Sequence, residues 1–177
     1  MPESPEKKVL FVCSGNYYRS RLAELLFNHY AESESAPWSA RSRGLLERTA
    51  YRGLSHSAIK YLEGRNLAHL ADEPRDPRPL RFDDLERFDL IIGLSRDEHE
   101  GMLLTRFGQI PRHLAKQGKL RYWNIDDLPR EGSRLIRALS ALFSGKEEAP
   151  SQREESGTEH IDFAVQALLR ELTASSD

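Results

Sequence analysis

A single cysteine, Cys13, precedes Arg19 by six positions in the run Cys13-Ser14-Gly15-Asn16-Tyr17-Tyr18-Arg19-Ser20. Sulfur is a strong nucleophile once ionised, and backbone amides, a helix N-terminus and a nearby guanidinium all favour a thiolate. Gly15 lets the backbone curl without a side chain in the way, and Asn16 tolerates the left-handed conformation that most residues avoid. In a loop curled this way the amides point inward and form a nest for an anion. Ser14, Gly15, Asn16, Tyr17, Tyr18, Arg19 and Ser20 are therefore the expected phosphate-binding set. Arg19 can return to the same anion and donate two parallel hydrogen bonds to phosphate oxygens, a fit lysine does not match. Ser20 is placed to give its hydroxyl to the sulfur, which stabilises a thiolate both as attacker and as leaving group.

These residues act together only if a strand delivers Cys13 and a helix begins near Arg19. Residues 7–12 read as a short strand covered on both faces, because four consecutive apolar residues, Val9 to Val12, stop at the cysteine. From Arg19 the spacing of Leu22, Leu25, Leu26, Phe27 and Tyr30 marks one face of a helix. Further strands are expected over residues 36–46, 89–94 and 120–125. Helices are expected over residues 55–62, with Ser55 as N-cap, over 82–88, and after Ser95, which caps a helix carrying Asp97 and Glu98 in its first turn. Residues 134–143 and 161–172 complete the helical set. Pro74, Pro77 and Pro79 break the stretch before residue 82. Strands alternating with helices predict an α/β fold: an open parallel sheet of about four strands, helices on both faces, and the phosphate-binding loop after the first strand. In such sheets ligands bind where strands end and helices begin.

The chain has 177 residues, 38% hydrophobic and 31% charged, enough for one domain, expected over residues 8–177 behind a flexible leader at 1–7. Residues 144–160 hold Gly145, Pro150, Gly157 and many charges with almost nothing apolar, and read as a mobile insertion. A formal net charge of -2 disfavours a generic polyanion binder, so no nucleic acid is expected as partner. No apolar run approaches the roughly 18 to 20 residues of a bilayer span, and the start resembles no signal peptide, so the protein is expected in the cytoplasm without membrane insertion. One cysteine excludes an internal disulfide and a multi-cysteine zinc cage, and the six histidines show no metal-ligand spacing, so no metal or cofactor is expected. Arg41, Arg43, Arg48 and Arg52 form a cluster that reads as a solvated face, with attraction of an acidic or phosphorylated protein as the other reading.

Residues 9–20 resemble the low-molecular-weight protein tyrosine phosphatase family, whose members open with a strand followed by Cys-x-Gly-Asn-x-Cys-Arg-Ser. The resemblance continues more weakly through residues 38–44, 78–94 and 122–129. It implies a phosphomonoester hydrolase, foremost a protein tyrosine phosphatase, working without metal on phosphorylated protein or peptide and releasing inorganic phosphate. Cys13 would attack phosphorus to form a phosphocysteine that water then hydrolyses, while the loop and Arg19 hold the equatorial oxygens. The family takes its general acid and base from an aspartate after the last strand. In Trp123-Asn124-Ile125-Asp126-Asp127-Leu128-Pro129 the register points to Asp127, with Asp126 as rival. Ser42 falls where the family has a serine bonded to the loop asparagine, so Asn16, Ser20 and Ser42 would hold the loop in shape.

Several positions depart from the family pattern. Tyr18 stands where a second cysteine is frequent, and Leu128-Pro129-Arg130 replaces the paired tyrosines that follow the acid in many members. The second departure removes aromatic wall from the substrate mouth. Tyr17 can supply some of the missing aromatic wall. Ser14 stands where members acting on phosphoarginine tend to have threonine, which keeps a protein arginine phosphatase as an alternative. Thioredoxin-coupled arsenate reductases of this fold relay electrons through further cysteines, which this chain lacks. A phosphocarrier that holds phosphate on cysteine, or a phosphate-binding module without efficient hydrolysis, are the remaining alternatives. With no second thiol, peroxide should inactivate the protein and leave a sulfenic or sulfinic acid on Cys13. Mass spectrometry of the peroxide-treated protein checks this, and inactivation with Cys13 unmodified would contradict it.

Overall fold

Val9, Phe11 and Cys13 alternate with Leu10 and Val12 along the first strand, β1 (Lys7–Cys13), and the period of two sends them into separate cores on opposite faces of one sheet. The computed structural model describes residues 7–72, 75–125 and 150–175, the side chains of 150–156 excepted. Along the chain follow α1 (Arg19–Ser33), β2 (Trp38–Gly44), α2 (His56–Gly64), a 3-10 turn (Ala68–Ala71), α3 (Phe82–Arg87), β3 (Leu90–Gly93), α4 (Arg96–Phe107), α5 (Ile110–Lys116), β4 (Leu120–Tyr122) and α6 (Pro150–Ala174).

The described strands form a four-stranded sheet in the order β2-β1-β3-β4, every pair parallel. β1 lies inside, with Cys13 opposite Gly44 of β2 and Val12 opposite Gly93 of β3. The chain goes from β1 to one neighbour and later returns to the other side, so the strand order reverses at the C-terminal ends of β1 and β3. In open parallel sheets this is where a crevice forms. On one face Phe11 packs with Leu22, Leu26 and Phe27 of α1 and with Ile161, Val165 and Leu169 of α6. On the other, Leu10 and Val12 pack with Leu85, Leu103 and Leu114. Each such fully buried side chain contributes roughly 1.5–3 kcal/mol, which fixes the end of β1 on both sides.

The expected open parallel sheet is present, with differences in detail. The strand read over 120–125 ends at Tyr122, although pairing goes on as Ser95 bridges Asn124 and Ile125 donates to the Leu94 carbonyl at 2.9 Å. α5 is a helix where the sequence pattern marks none. Ser95 occupies the N-cap of α4, but its hydroxyl makes no capping bond; its N–H instead donates to His99 Nδ1 at 3.1 Å. α6 begins at Pro150, so residues 150–160 are helical rather than loop, while 144–149 and the helix expected over 134–143 lie outside the described residues. Gly157 lies within the helix where it packs closely on the phosphate-loop side: a Cβ would stand 3.1 Å from the Tyr18 hydroxyl. Tertiary contact outweighs the local composition.

α6 is tied to the rest by Asp162, 3% exposed, which accepts from Tyr30 of α1 and Tyr61 of α2, both at 2.7 Å, and from Gln166 at 2.8 Å. Burial alone would raise its pKa, yet the hydrogen bonds from Tyr61, Gln166 and Tyr30 hold it below the ordinary aspartate value. Asp162→Ala should strand two phenol hydroxyls and cost roughly 2–4 kcal/mol of stability. Urea denaturation measures it, and an unchanged midpoint would contradict the structural role.

Candidate active site

Between the end of β1 and the start of α1, the backbone turns its carbonyls outward. Cys13 O accepts from Leu45 N at 2.9 Å, Ser14 O from Leu46 N at 3.0 Å and Tyr17 O from Ser55 N at 3.1 Å. In a trans peptide unit the N–H points opposite to the C=O, so the amides of Ser14, Gly15 and Tyr18 face the other way, into the curl. Among the described residues, the amides of Ser14, Gly15, Asn16 and Tyr17 donate to no acceptor. Four successive N–H groups without protein partners are costly to gather and form a concavity suited to an anion.

Asn16 makes the turn possible with a φ of 50°. Its amide donates to Ser20 Oγ at 3.0 Å and Ser42 Oγ at 2.8 Å, and its Oδ1 accepts from Arg78 N at 2.9 Å and Arg75 Nη1 at 3.1 Å. Both donors and both lone pairs of the side chain are used. The structure thus brings Asn16, Ser20 and Ser42 together, as the sequence suggests, and adds two residues that sequence reasoning missed. Arg75 Nη2 reaches Glu24 Oε2 at 2.6 Å and Ser42 Oγ at 2.9 Å, and the Ser42 hydroxyl in turn donates to Glu24. Gly44 closes the arrangement from β2, because a Cβ there would stand 3.1 Å from Ser14 O and 3.2 Å from Asn16 N. A side chain there would press on the loop backbone, and glycine lets the strand lie against it.

Cys13 is 3% exposed and its Sγ lies 3.0 Å from Ser20 Oγ. Since that oxygen accepts from Asn16, the serine proton can turn toward an ionised sulfur. Tyr17 stacks on the exposed Tyr51, ring centroids 4.5 Å apart and planes within 8°. Tyr18, in place of a second cysteine, is buried and faces α6. Ser14 Oγ makes a long contact to Met102 Sδ at 3.9 Å.

Arg19 is 1% exposed, and its guanidinium is held inside the crevice. Nη1 donates to Glu98 Oε1 at 3.1 Å and to the Ile125 carbonyl at 2.9 Å, and Nη2 donates to Glu98 Oε2 at 2.8 Å. The carboxylate grips the end of the guanidinium by a two-point contact that sets its plane. Sequence reasoning placed Glu98 at the helix dipole and did not foresee this role. Beside the pair, His99 is fully buried, with Nδ1 turned to Ser95 N–H and Nε2 at 3.6 Å from Glu98. Burial first, then the Arg19 charge, pushes the His99 pKa down to about 4, with Glu98 opposing. Asp127 and its rival Asp126 lie outside the described residues; Ile125, which accepts from Arg19, directly precedes them in the sequence.

Residues 8–135 match the family model of the low molecular weight phosphotyrosine protein phosphatases. A protein-arginine-phosphatase of Bacillus subtilis is 29% identical over 103 residues, covering 57% of this chain and 63% of the relative, so the match spans just under two thirds of that protein. An arsenate reductase of Shouchella clausii is 27% identical over 122 residues, 69% of this chain and 74% of its own. Among solved structures, a low molecular weight protein tyrosine phosphatase from T. tengcongensis superposes with a TM-score of 0.62 at 19% identity, covering 93% of this chain and 99% of that one, a likeness of fold.

The His99 environment carries a pH signature. Between about pH 4 and the unfolded value near 6.5 the unfolded chain binds the proton that the folded protein refuses. The stabilisation is complete above pH 6.5 and should be lost as pH falls toward 4, by an amount on the order of 3 kcal/mol. Denaturation midpoints across that range measure it, and His99→Asn should flatten the slope; an identical slope in the variant would assign it elsewhere.

Proposed function

The chain belongs to the low molecular weight phosphotyrosine protein phosphatase family, and on that premise we propose that it hydrolyses phosphomonoesters, foremost phosphotyrosine in protein or peptide, through a phosphocysteine on Cys13. The observation that carries the reading is the curl of unpartnered amides at residues 14–17, which begins at the sole cysteine and leads into Arg19. A phosphate dianion answers all those donors at once.

In the first step the Cys13 thiolate forms a bond to phosphorus, the bond to the leaving oxygen breaks, and that oxygen takes a proton from Asp127. The loop amides and Arg19 hold the three equatorial oxygens as charge redistributes, which is where most of the rate arises in phosphoryl transfer. Glu98 keeps the guanidinium in plane, and Ser20 stabilises the sulfur. In the second step Asp127, now a carboxylate, removes a proton from water, whose oxygen attacks phosphorus. The sulfur–phosphorus bond breaks, the thiolate returns and inorganic phosphate leaves. The neighbouring Ile125 carbonyl on Arg19 supports the assignment of the acid to this stretch, and the register supports Asp127 over Asp126.

The stacked Tyr17 and Tyr51 support an aryl leaving group, since they offer flat aromatic surface beside the loop. The curated Bacillus subtilis relative supports phosphoarginine as a second reading. The arsenate reductase relative has weaker support, because a relay of cysteines needs more than the one this chain contains. Turnover of p-nitrophenyl phosphate should be abolished in Cys13→Ser and reduced by roughly two to four orders of magnitude in Asp127→Ala, with Asp126→Ala close to wild type. Reversed effects in the two aspartate variants would move the acid to Asp126, and wild-type inactivity on every phosphomonoester would leave a binding module. Parallel assays on phosphotyrosine and phosphoarginine peptides decide between the two substrate readings.

A further inference from the structure

Behind the phosphate loop, a cleft of about 370 Å³ opens between the chain leaving β2 and the proline-rich stretch before α3. Gly15, two residues from Cys13, forms part of its wall, and Arg48, Arg52 and Arg78 line it together with Glu47 and Asp76. The arginine cluster seen in the sequence is divided here. Arg43 turns away to Asp84 at 3.1 Å, and among the described residues the Arg41 side chain bonds only its neighbour's carbonyl. Arg48 and Arg52 face the cleft and Arg78 joins them from another segment.

The charges in the cleft are unevenly matched. Glu47 is held by Arg106 at 3.0 Å, outside the lining, and approached by Arg81 at 3.9 Å. Asp76 accepts from Gly53 N at 3.3 Å and lies 3.9 Å from Arg52. The side chains of Arg48 and Arg78 meet no carboxylate among the described residues, and both are exposed. The cleft therefore presents cations whose charge is not locally answered, within a few residues' reach of the nucleophile, since an extended peptide advances about 3.3–3.6 Å per residue.

We propose that this cleft is a subsite for an acidic side chain flanking the phosphorylated residue of a peptide substrate, an inference that rests on the phosphatase reading and names the class of substrate it favours. The carboxylate would approach Arg48 and Arg78 while the phosphate enters the loop, with Gly15 as the shared wall. Exposed charge pairs are individually weak and screened by salt, so the preference is modest and salt-dependent.

The test compares two peptides with the same phosphotyrosine, one flanked by Asp and Glu and the other by Asn and Gln, binding to the Cys13→Ser variant by fluorescence anisotropy. The acidic peptide should bind about three- to tenfold more tightly at low salt, and the advantage should shrink as salt rises. Adding Arg48→Glu and Arg78→Glu should abolish or reverse the advantage, and retained binding of the neutral peptide reports that the variant is folded. Where it is not retained, Arg48→Gln serves instead and should narrow the ratio. Equal binding of the two peptides at low salt, or an advantage untouched by the arginine substitutions, overturns the proposal. Wild-type turnover of p-nitrophenyl phosphate tests the reading beneath it separately: turnover without acidic preference sinks the cleft alone, and acidic preference without turnover sinks the hydrolase alone.

Discussion

Every other part of the site depends on the orientation of a few peptide planes. Turning the carbonyls of Cys13 and Ser14 outward faces the amides of Ser14 and Gly15 into the curl, and together with those of Asn16 and Tyr17 they meet no acceptor among the described residues, an arrangement a free chain would not hold because each unpaired N–H forfeits a hydrogen bond. The fold supplies acceptable partners for the carbonyls and withholds them from the amides. Leu45 and Leu46 beyond β2 and Ser55 before α2 take the former, and the left-handed Asn16 is pinned through both ends of its side chain so that the curl cannot relax. Behind Asn16, the buried Glu24 and the largely buried Arg75 satisfy each other and Ser42. A polar network in a core is stabilising only when its members are satisfied, and this one spends its hydrogen bonds on the shape of the loop.

A second consequence follows from the reversal of strand order. The crevice between the ends of β1 and β3 is where α1 delivers Arg19 and α4 delivers Glu98, elements that meet only because β3 lies beside β1. A guanidinium buried to 1% exposure needs a counter-charge, and one that meets it by two contacts also sets its plane. The same carboxylate stands beside His99, which the surroundings keep neutral at ordinary pH, so His99 adds no second positive charge beside Arg19.

The sequence was most legible where chemistry and structure are contiguous. A four-residue apolar run, a Cys-to-Arg loop with Gly and Asn inside, and a helical period after it announce strand, loop and helix without long-range information. Glu24 with Arg75, and Arg19 with Glu98, are separated by 51 and 79 positions, and no local pattern links them. α6 was obscured for a different reason: the composition of residues 150–160 favours a loop, and the packing of α6 on α1 and its tie through Asp162 to Tyr30 and Tyr61 join positions far apart in the sequence. The arginine cluster was visible as composition, but only the fold shows which members share a cleft.

The most direct test of the central claim follows the loop amides themselves. In an isotope-labelled sample titrated with inorganic phosphate, the amide resonances of Ser14, Gly15, Asn16 and Tyr17 should shift together along one saturable curve, with the side-chain Nε–H of Arg19 joining them. Saturable phosphate binding that leaves these amides unmoved while shifting residues elsewhere would contradict the account, because the anion would then have chosen another site.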